Sequence, residues 1–373
     1  MAHAYIVAGM ALGDEAKGAT VDALCRSLPI GLIVRYNGGC QAAHNVVLED
    51  GRSHCFSQFG AGMLANNLVR THLSRFMLVD PFAMMREADA LGKLTDNVWG
   101  RTTVDREAVI VTPIHKALNR AREIKRGANA HGSCGRGIGI AREMQLKHGQ
   151  SVLMAKDLEY GNRSFEKLEY LFDEVREELE ENNVYFHLGD IKEWAHEYQE
   201  WPANLAEAMD PAKHMVFEGA QGVMLDEKHG TAPHNTWTNT TFENADTLLD
   251  EVDFTRGQRT RIGCFRSYYT RHGAGPFPTE ETELDLPEPH NGDEGFQGKF
   301  RLGRFDYTMA EKAIDIVKGV DFLSVSHLDY LPRLGLEESD FLEHLVNELD
   351  APVGIYGNGP TAAQRTINLG VLA

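Results

Sequence analysis

The sequence predicts an α/β protein: a mainly parallel central sheet with helices on both faces and extended loop excursions. Three observations carry that expectation. Short apolar runs that suit buried strands recur along the chain. Segments of helical periodicity lie between them. Glycine-rich loops follow several of the apolar runs, which is where open parallel sheets bind ligands.

Tyr5-Ile6-Val7-Ala8-Gly9 is apolar on successive residues, as a strand buried on both faces must be. It feeds Met10-Ala11-Leu12-Gly13-Asp14-Glu15-Ala16-Lys17-Gly18-Ala19-Thr20, so Tyr5 to Val21 reads as strand, loop, helix. Gly31 to Tyr36 reads as a second buried strand. Pro113 to Arg126 and Phe165 to Glu181 have helical periodicity, and the dense charge on the latter is a solvated face. Met215-Val216-Phe217 is a short strand running into Glu218-Gly219-Ala220-Gln221-Gly222. Asp306 to Val317 reads as helix and Asp321 to Ser326 as strand. Pro276 to Gly298, rich in Pro, Glu and Gly, reads as a mobile loop region. No linker or internal repeat divides the chain, so residues 1–373 are expected to form a single domain.

With 42% hydrophobic and 25% charged residues, the chain has the composition of an ordinary globular protein. Its formal net charge of −18 argues against a nucleic-acid or anionic-membrane partner, each of which needs a basic face. Nucleotides remain open, because a few backbone amides and local cations suffice for them. The 5 cysteines are scattered, without a C-x-x-C pair, and read as free thiols of a reducing cytoplasm. Cys40 and Cys134 lie in glycine loops, where a small residue that fits a tight turn is the simpler reading than a nucleophile. No signal peptide and no apolar run of about 18 residues is seen. The expected location is the cytoplasm, or the host cytoplasm for a phage-encoded chain.

The loop after the first strand is a place to hold phosphates. Amides at a helix N-terminus point outward with partial positive charge, and Lys17 adds a full one. Asp14 could hold Mg²⁺, accept a proton, or simply cap the helix. A Walker A loop is excluded, since the lysine precedes Gly18 instead of following a glycine. That disfavours a P-loop GTPase.

Further blocks follow in order: Tyr36-Asn37-Gly38-Gly39-Cys40-Gln41-Ala42-Ala43-His44, Gly132-Ser133-Cys134-Gly135-Arg136-Gly137-Ile138-Gly139, Phe217 to Gly222, His229-Gly230-Thr231, and Thr270-Arg271-His272-Gly273-Ala274-Gly275-Pro276-Phe277-Pro278-Thr279-Glu280. Together with Gly13-Asp14-Glu15-Ala16-Lys17-Gly18 they resemble, in register, the adenylosuccinate synthetase family. The resemblance implies a C–N ligase that joins L-aspartate to C6 of a 6-oxopurine nucleotide. An NTP first phosphorylates O6, and aspartate then displaces phosphate. It also implies Mg²⁺ and a homodimer.

Carried over residue by residue, the resemblance makes Asp14 the base at N1 and a Mg²⁺ ligand. The Ala43 carbonyl completes the Mg²⁺ shell. His44 acts on the phosphoryl-transfer side, and Lys17 with the amides of Glu15, Ala16 and Gly18 holds the γ-phosphate. Gln41, Ser133, Cys134, Gln221 and Thr236 would bind the acceptor nucleotide. Lys147 would reach it across the dimer, although alone it reads as a surface lysine. Thr279, Lys299 and Arg301 would bind aspartate. His327, Asp329, Gly357, Gly359 and Pro360 would surround the donor base, ATP or GTP. This chain departs from the family pattern at Ala16 (glycine), Cys134 (threonine) and His327 (lysine), and it lacks most of the usual C-terminal subdomain. Compact relatives in bacteriophages that make 2-aminoadenine DNA take dGMP in place of IMP. The expectation is therefore dGMP, giving N6-succino-2-amino-dAMP. Ordinary adenylosuccinate synthesis from IMP and GTP is the alternative, and a catalytically inactive purine-nucleotide-binding regulatory protein is the alternative of another class.

Overall fold

A computed structural model describes residues 2–289, 291, 296–368 and 370. One sheet of ten strands runs through the molecule. Its spatial order is Arg365–Ile367, Val353–Gly357, Phe322–Ser326, Gln258–Arg266, His3–Gly9, His214–Gly222, Leu32–Arg35, Arg70–Leu73, Thr102–Asp105 and Asn204–Ala206. Neighbours pair in parallel except at one edge, where Arg365–Ile367 runs antiparallel to Val353–Gly357. The expected fold class therefore stands.

The first strand shows why both faces are covered. Tyr5 and Val7 pack into one apolar core, whereas Ala4, Ile6 and Ala8 pack into the other. Side chains alternate across a strand, so an unbroken apolar run is what a two-sided burial requires. The helix Lys17–Ser27 returns along one face and buries Val21, Leu24 and Cys25. The chain winds outward in both directions from this central strand. Binding loops collect where the winding reverses, at the carboxyl ends.

Two expectations change. The strand expected over Met215–Phe217 extends from His214 to Gly222 and carries Glu218 fully buried within it. A charged residue ends an apolar pattern in sequence, but here its cost is met by bonded partners described below. The Pro276–Gly298 region holds no helix or strand among its described residues, and residues 290 and 292–295 lie outside them. It is nonetheless anchored: Phe277 and Leu286 are buried, and Arg266 donates to Glu288 at 2.5 Å.

Candidate active site

The loop expected to hold phosphates turns through three left-handed residues, Gly13, Asp14 and Ala16, with φ of 99°, 64° and 55°. Ala16 thus adopts a conformation that glycine takes freely and alanine resists. It stands at the N-cap of the helix Lys17–Ser27 and offers no side-chain cap, and the first turn carries no acidic residue. The leading amides are left for an anion. Glu15 turns inward instead. Its Oε1 accepts from the amides of Ala11 (3.1 Å) and Gly13 (2.7 Å), and its Oε2 accepts from Lys17 Nζ at 2.6 Å. Glu15 therefore shapes the loop through its side chain, and Lys17 is held against it, 3% exposed.

Asp14 lies at the mouth of this loop, 24% exposed and so within reach of a ligand. His272 Nε2 donates to its Oδ2 at 3.0 Å, and Arg266 donates to its carbonyl. Burial favours protonation of Asp14, but the His272 bond and the charges of Arg266, His272 and Lys17 outweigh it and hold the carboxyl well below its usual range. Burial likewise opposes charge on His272, and the bond and charge of Asp14 prevail and raise it.

His44 sits against Gly18 in the first turn of the helix. Its Nδ1 donates to Glu218 Oε1 at 2.5 Å, while Glu218 Oε2 accepts from the Ala61 amide at 2.9 Å. Burial lowers His44 despite Glu218. Burial raises Glu218, but the Arg35 charge and the His44 and Ala61 bonds bring it below its ordinary value. The carboxylate fixes the ring through Nδ1. Gly18 makes this approach possible: a Cβ there would lie 2.5 Å from His44 Cβ.

The loops expected to bind the acceptor nucleotide converge. A Cβ at Gly132 would lie 3.0 Å from the Ala274 amide nitrogen, and His234 Nδ1 donates to the His131 carbonyl at 3.2 Å. Gln41, Cys134, Gln221 and Thr236 are all partly exposed there, and Gln41 Oε1 is a buried acceptor without a partner. Ser133 Oγ is already committed, donating to Asn119 Oδ1 at 2.9 Å, and its amide bonds Glu123. Lys147 stands apart: it is 61% exposed and pairs with Glu174 of a neighbouring helix at 3.2 Å.

In the loop expected to bind aspartate, Arg301 donates to Glu280 (2.7 Å) and to the Gly275 carbonyl (2.8 Å), while Lys299 is exposed. Thr279 Oγ1 is buried and unbonded. At the next strand ends, His327 is left-handed with φ 60°, and its Nδ1 bonds Ser326 Oγ at 3.0 Å. Burial, with Arg266 and Arg365 adding to it, lowers His327 well below its usual value. Asp329, Ala43 and Pro360 are exposed, Gly359 is partly so, and Gly357 is buried at its strand end.

No group of three metal-ligating side chains occurs among the described residues. One carboxylate and one backbone carbonyl, those of Asp14 and Ala43, suit Mg²⁺ arriving with a nucleotide, because that ion keeps water and phosphate oxygens as its other ligands. Sequence reasoning passed over His272, Glu218, Arg266 and Glu288 as functional residues. The first two sit inside the motif blocks, so a signal was present. Arg266 and Glu288 come together only through folding.

A family profile for adenylosuccinate synthetase matches residues 6–338. The adenylosuccinate synthetase of Methylococcus capsulatus is 30% identical over 364 residues, covering 90% of this chain and 80% of that protein. That of Vibrio cholerae is 33% identical over 352 residues, covering 90% and 78%. Two solved structures share the fold. The fully ligated adenylosuccinate synthetase of Plasmodium falciparum superposes with a TM-score of 0.82 at 18% identity, covering 97% of this chain and 99% of that one. The cyanophage S-2L succinoaminodeoxyadenylate synthetase, bound to dGMP and dATP, gives 0.71 at 19%, covering 99% and 96%. No helix among the described residues is long and apolar enough to cross a membrane. With the phosphate loop, the His44–Glu218 pair and the converging glycine loops in the family's order, this chain belongs to the adenylosuccinate synthetase family of C–N ligases.

Proposed function

We propose that this protein joins L-aspartate to C6 of a 6-oxopurine nucleotide, with dGMP as the preferred acceptor. The observation that supports the reaction is an uncapped helix N-terminus with Asp14 two residues before its N-cap and His44 packed against Gly18 in its first turn. The O6 of the acceptor is a poor leaving group. Asp14 accepts the N1 proton, O6 takes the γ-phosphoryl group from the donor, and a nucleoside diphosphate departs. The aspartate amine then adds to C6, phosphate leaves, and the amine gives up a proton.

His272 holds one oxygen of Asp14 through its Nε2 hydrogen bond and so fixes the direction in which the other faces. His44 donates from Nε2 to charge developing on the transferred group, with Glu218 behind it. The first amides of the helix and Lys17 hold the γ-phosphate. Asp14 and the Ala43 carbonyl would hold Mg²⁺, which supplies charge neutralisation to the donor phosphates. Gln41, Cys134, Gln221 and Thr236 hold the acceptor, and Thr279, Lys299 and Arg301 the aspartate. The active unit is a homodimer, in which Lys147 turns from Glu174 to the partner's nucleotide.

The unpaired Gln41 Oε1 supports dGMP, because a 2-amino group would give it a donor that IMP lacks. Ser133 does not serve that purpose, since its Oγ is engaged with Asn119. Retention of Asp14 favours the second reading, IMP with GTP. Purified protein is incubated with aspartate, Mg²⁺ and each pairing of IMP or dGMP with ATP or GTP, and products are identified by mass. The expected result is a succino adduct with higher kcat/KM for dGMP. Equal or better turnover of IMP makes the protein an ordinary adenylosuccinate synthetase. Nucleotide binding without product from any pair makes it a regulatory protein.

A further inference from the structure

Two residues of the segment 276–298 close a ring of hydrogen bonds around Asp14. Glu288, its side chain 12% exposed, is the centre of that ring. Its Oε1 accepts from Arg266 Nη1 at 2.5 Å and from the Tyr268 hydroxyl. Its Oε2 accepts from Asn291 Nδ2 at 2.9 Å. Two of these three partners lead to Asp14. Arg266 Nε donates to the Asp14 carbonyl. Asn291 bonds the His272 side chain, and His272 Nε2 donates to Asp14 Oδ2 at 3.0 Å.

The turn that carries the two residues is itself fixed. The Asn291 amide donates to the Glu288 carbonyl at 3.1 Å, Leu286 is buried, and the Tyr330 hydroxyl donates to the Pro287 carbonyl at 2.7 Å. Asp14 needs outside support, because its φ of 64° lies in the left-handed region. A residue there keeps its conformation where its neighbours hold it, and Asp14 has one hold on its backbone and one on its carboxylate. Glu288 also answers the charge of Arg266. Arg266 Nη1 otherwise bonds only the neutral Tyr268 hydroxyl, at 3.0 Å, among the described residues. Without Glu288 it would be free to turn to the Asp14 carboxylate or to an arriving phosphate, each a stronger partner than a hydroxyl.

We propose that Glu288 and Asn291 are positioning residues for the base: through Arg266 and His272 they hold the backbone and the carboxylate of Asp14 in the orientation that meets N1 of the acceptor. The inference rests on the preceding reading of Asp14 as that base. Neither residue is required to touch a substrate. Their effect falls on the chemical step, since a misplaced base leaves substrates bound as before but meets the proton at the wrong distance and angle. A link that merely anchored the segment would show in stability instead, and one that held a substrate would show in KM.

The test is steady-state kinetics of the full chain with Mg²⁺, aspartate and the preferred nucleotide pair, with thermal melting alongside. Glu288→Gln keeps the shape and removes the charge. It should lower kcat about 10- to 100-fold, with the KM of each substrate within about 3-fold of wild type and a Tm shift of only a few degrees. Asn291→Ala should lower kcat by about 10-fold in the same manner. Both act through one displacement of Asp14, so the double variant should lose less than the product of the single losses. Glu283→Gln, at an exposed glutamate of the same segment, should change none of these quantities. Asn291→Ala decides the matter if Glu288→Gln fails to fold. A folded Glu288→Gln enzyme with kcat within about 3-fold of wild type, a rise in KM at unchanged kcat, or fully multiplicative losses in the double variant would each overturn the proposal. In all those cases product formation by wild type leaves the proposed function standing. No product from wild type with any nucleotide pair would remove that function, and this inference with it.

Discussion

Replacing Gly18 by alanine adds one methyl group, and the structure says where it goes. The new Cβ would lie 2.5 Å from His44 Cβ and 3.1 Å from both the Cα and the carbonyl carbon of His44. Non-bonded carbons rest at about 3.5–4.0 Å, so helix and loop must separate by roughly 1 Å. Alanine gains up to about 1 kcal/mol over glycine in helix propensity. Overpacking costs about 1–3 kcal/mol. The net change in stability is therefore small, and the variant should fold. The effect on chemistry should be larger. His44 is fixed between this contact and Glu218, and a 1 Å displacement of a catalytic group costs about 10²-fold in rate. The assay is steady-state turnover of the preferred nucleotide pair, with thermal melting as a control. We expect kcat to fall about 100-fold with a shift in Tm of only a few degrees. A Gly18→Ala enzyme with kcat within threefold of wild type would refute the argument that this close approach positions His44.

Other consequences can be checked separately. Asp14→Asn should abolish turnover while nucleotide binding survives, and retention of more than about a tenth of wild-type activity would remove Asp14 as the base. Burial raises Glu87 to about 7, against the pull of the Ser57, Gln58 and Phe59 amides and the Arg35 charge. Between the unfolded carboxyl value and about 7 the folded state holds the extra proton, so this group's contribution to stability falls as pH rises, by up to about 1.4 kcal/mol per pH unit. In urea melts at pH 5 and 7, Glu87→Gln should lose less stability over that interval than wild type, and an equal loss in the two proteins would contradict the shift. Sedimentation should show a dimer, and Lys147→Ala should raise the KM for the acceptor nucleotide. A fully active monomer would rule out both.

The sequence by itself determined the central parallel sheet and the family. Unbroken apolar runs such as Tyr5 to Gly9 can only be buried on both faces, and glycine blocks mark where backbone must come close to a ligand or another loop. It gave no sign of the strand Gln258–Arg266, whose arginines break the apolar pattern; Arg259 and Arg261 find partners in Asp250 and Asp246, and Arg266 donates to the Asp14 carbonyl. Nor could it assign the inward turn of Glu15, since whether a carboxylate faces a ligand or its own loop amides depends on a few ångströms of backbone path. His272 and Glu218 were visible as letters, but their work as partners of Asp14 and His44 spans 258 and 174 positions of sequence. Only the tertiary structure decides such pairings. A local pattern reports which face of an element is apolar, and it carries no information on which distant polar group arrives to satisfy a buried charge.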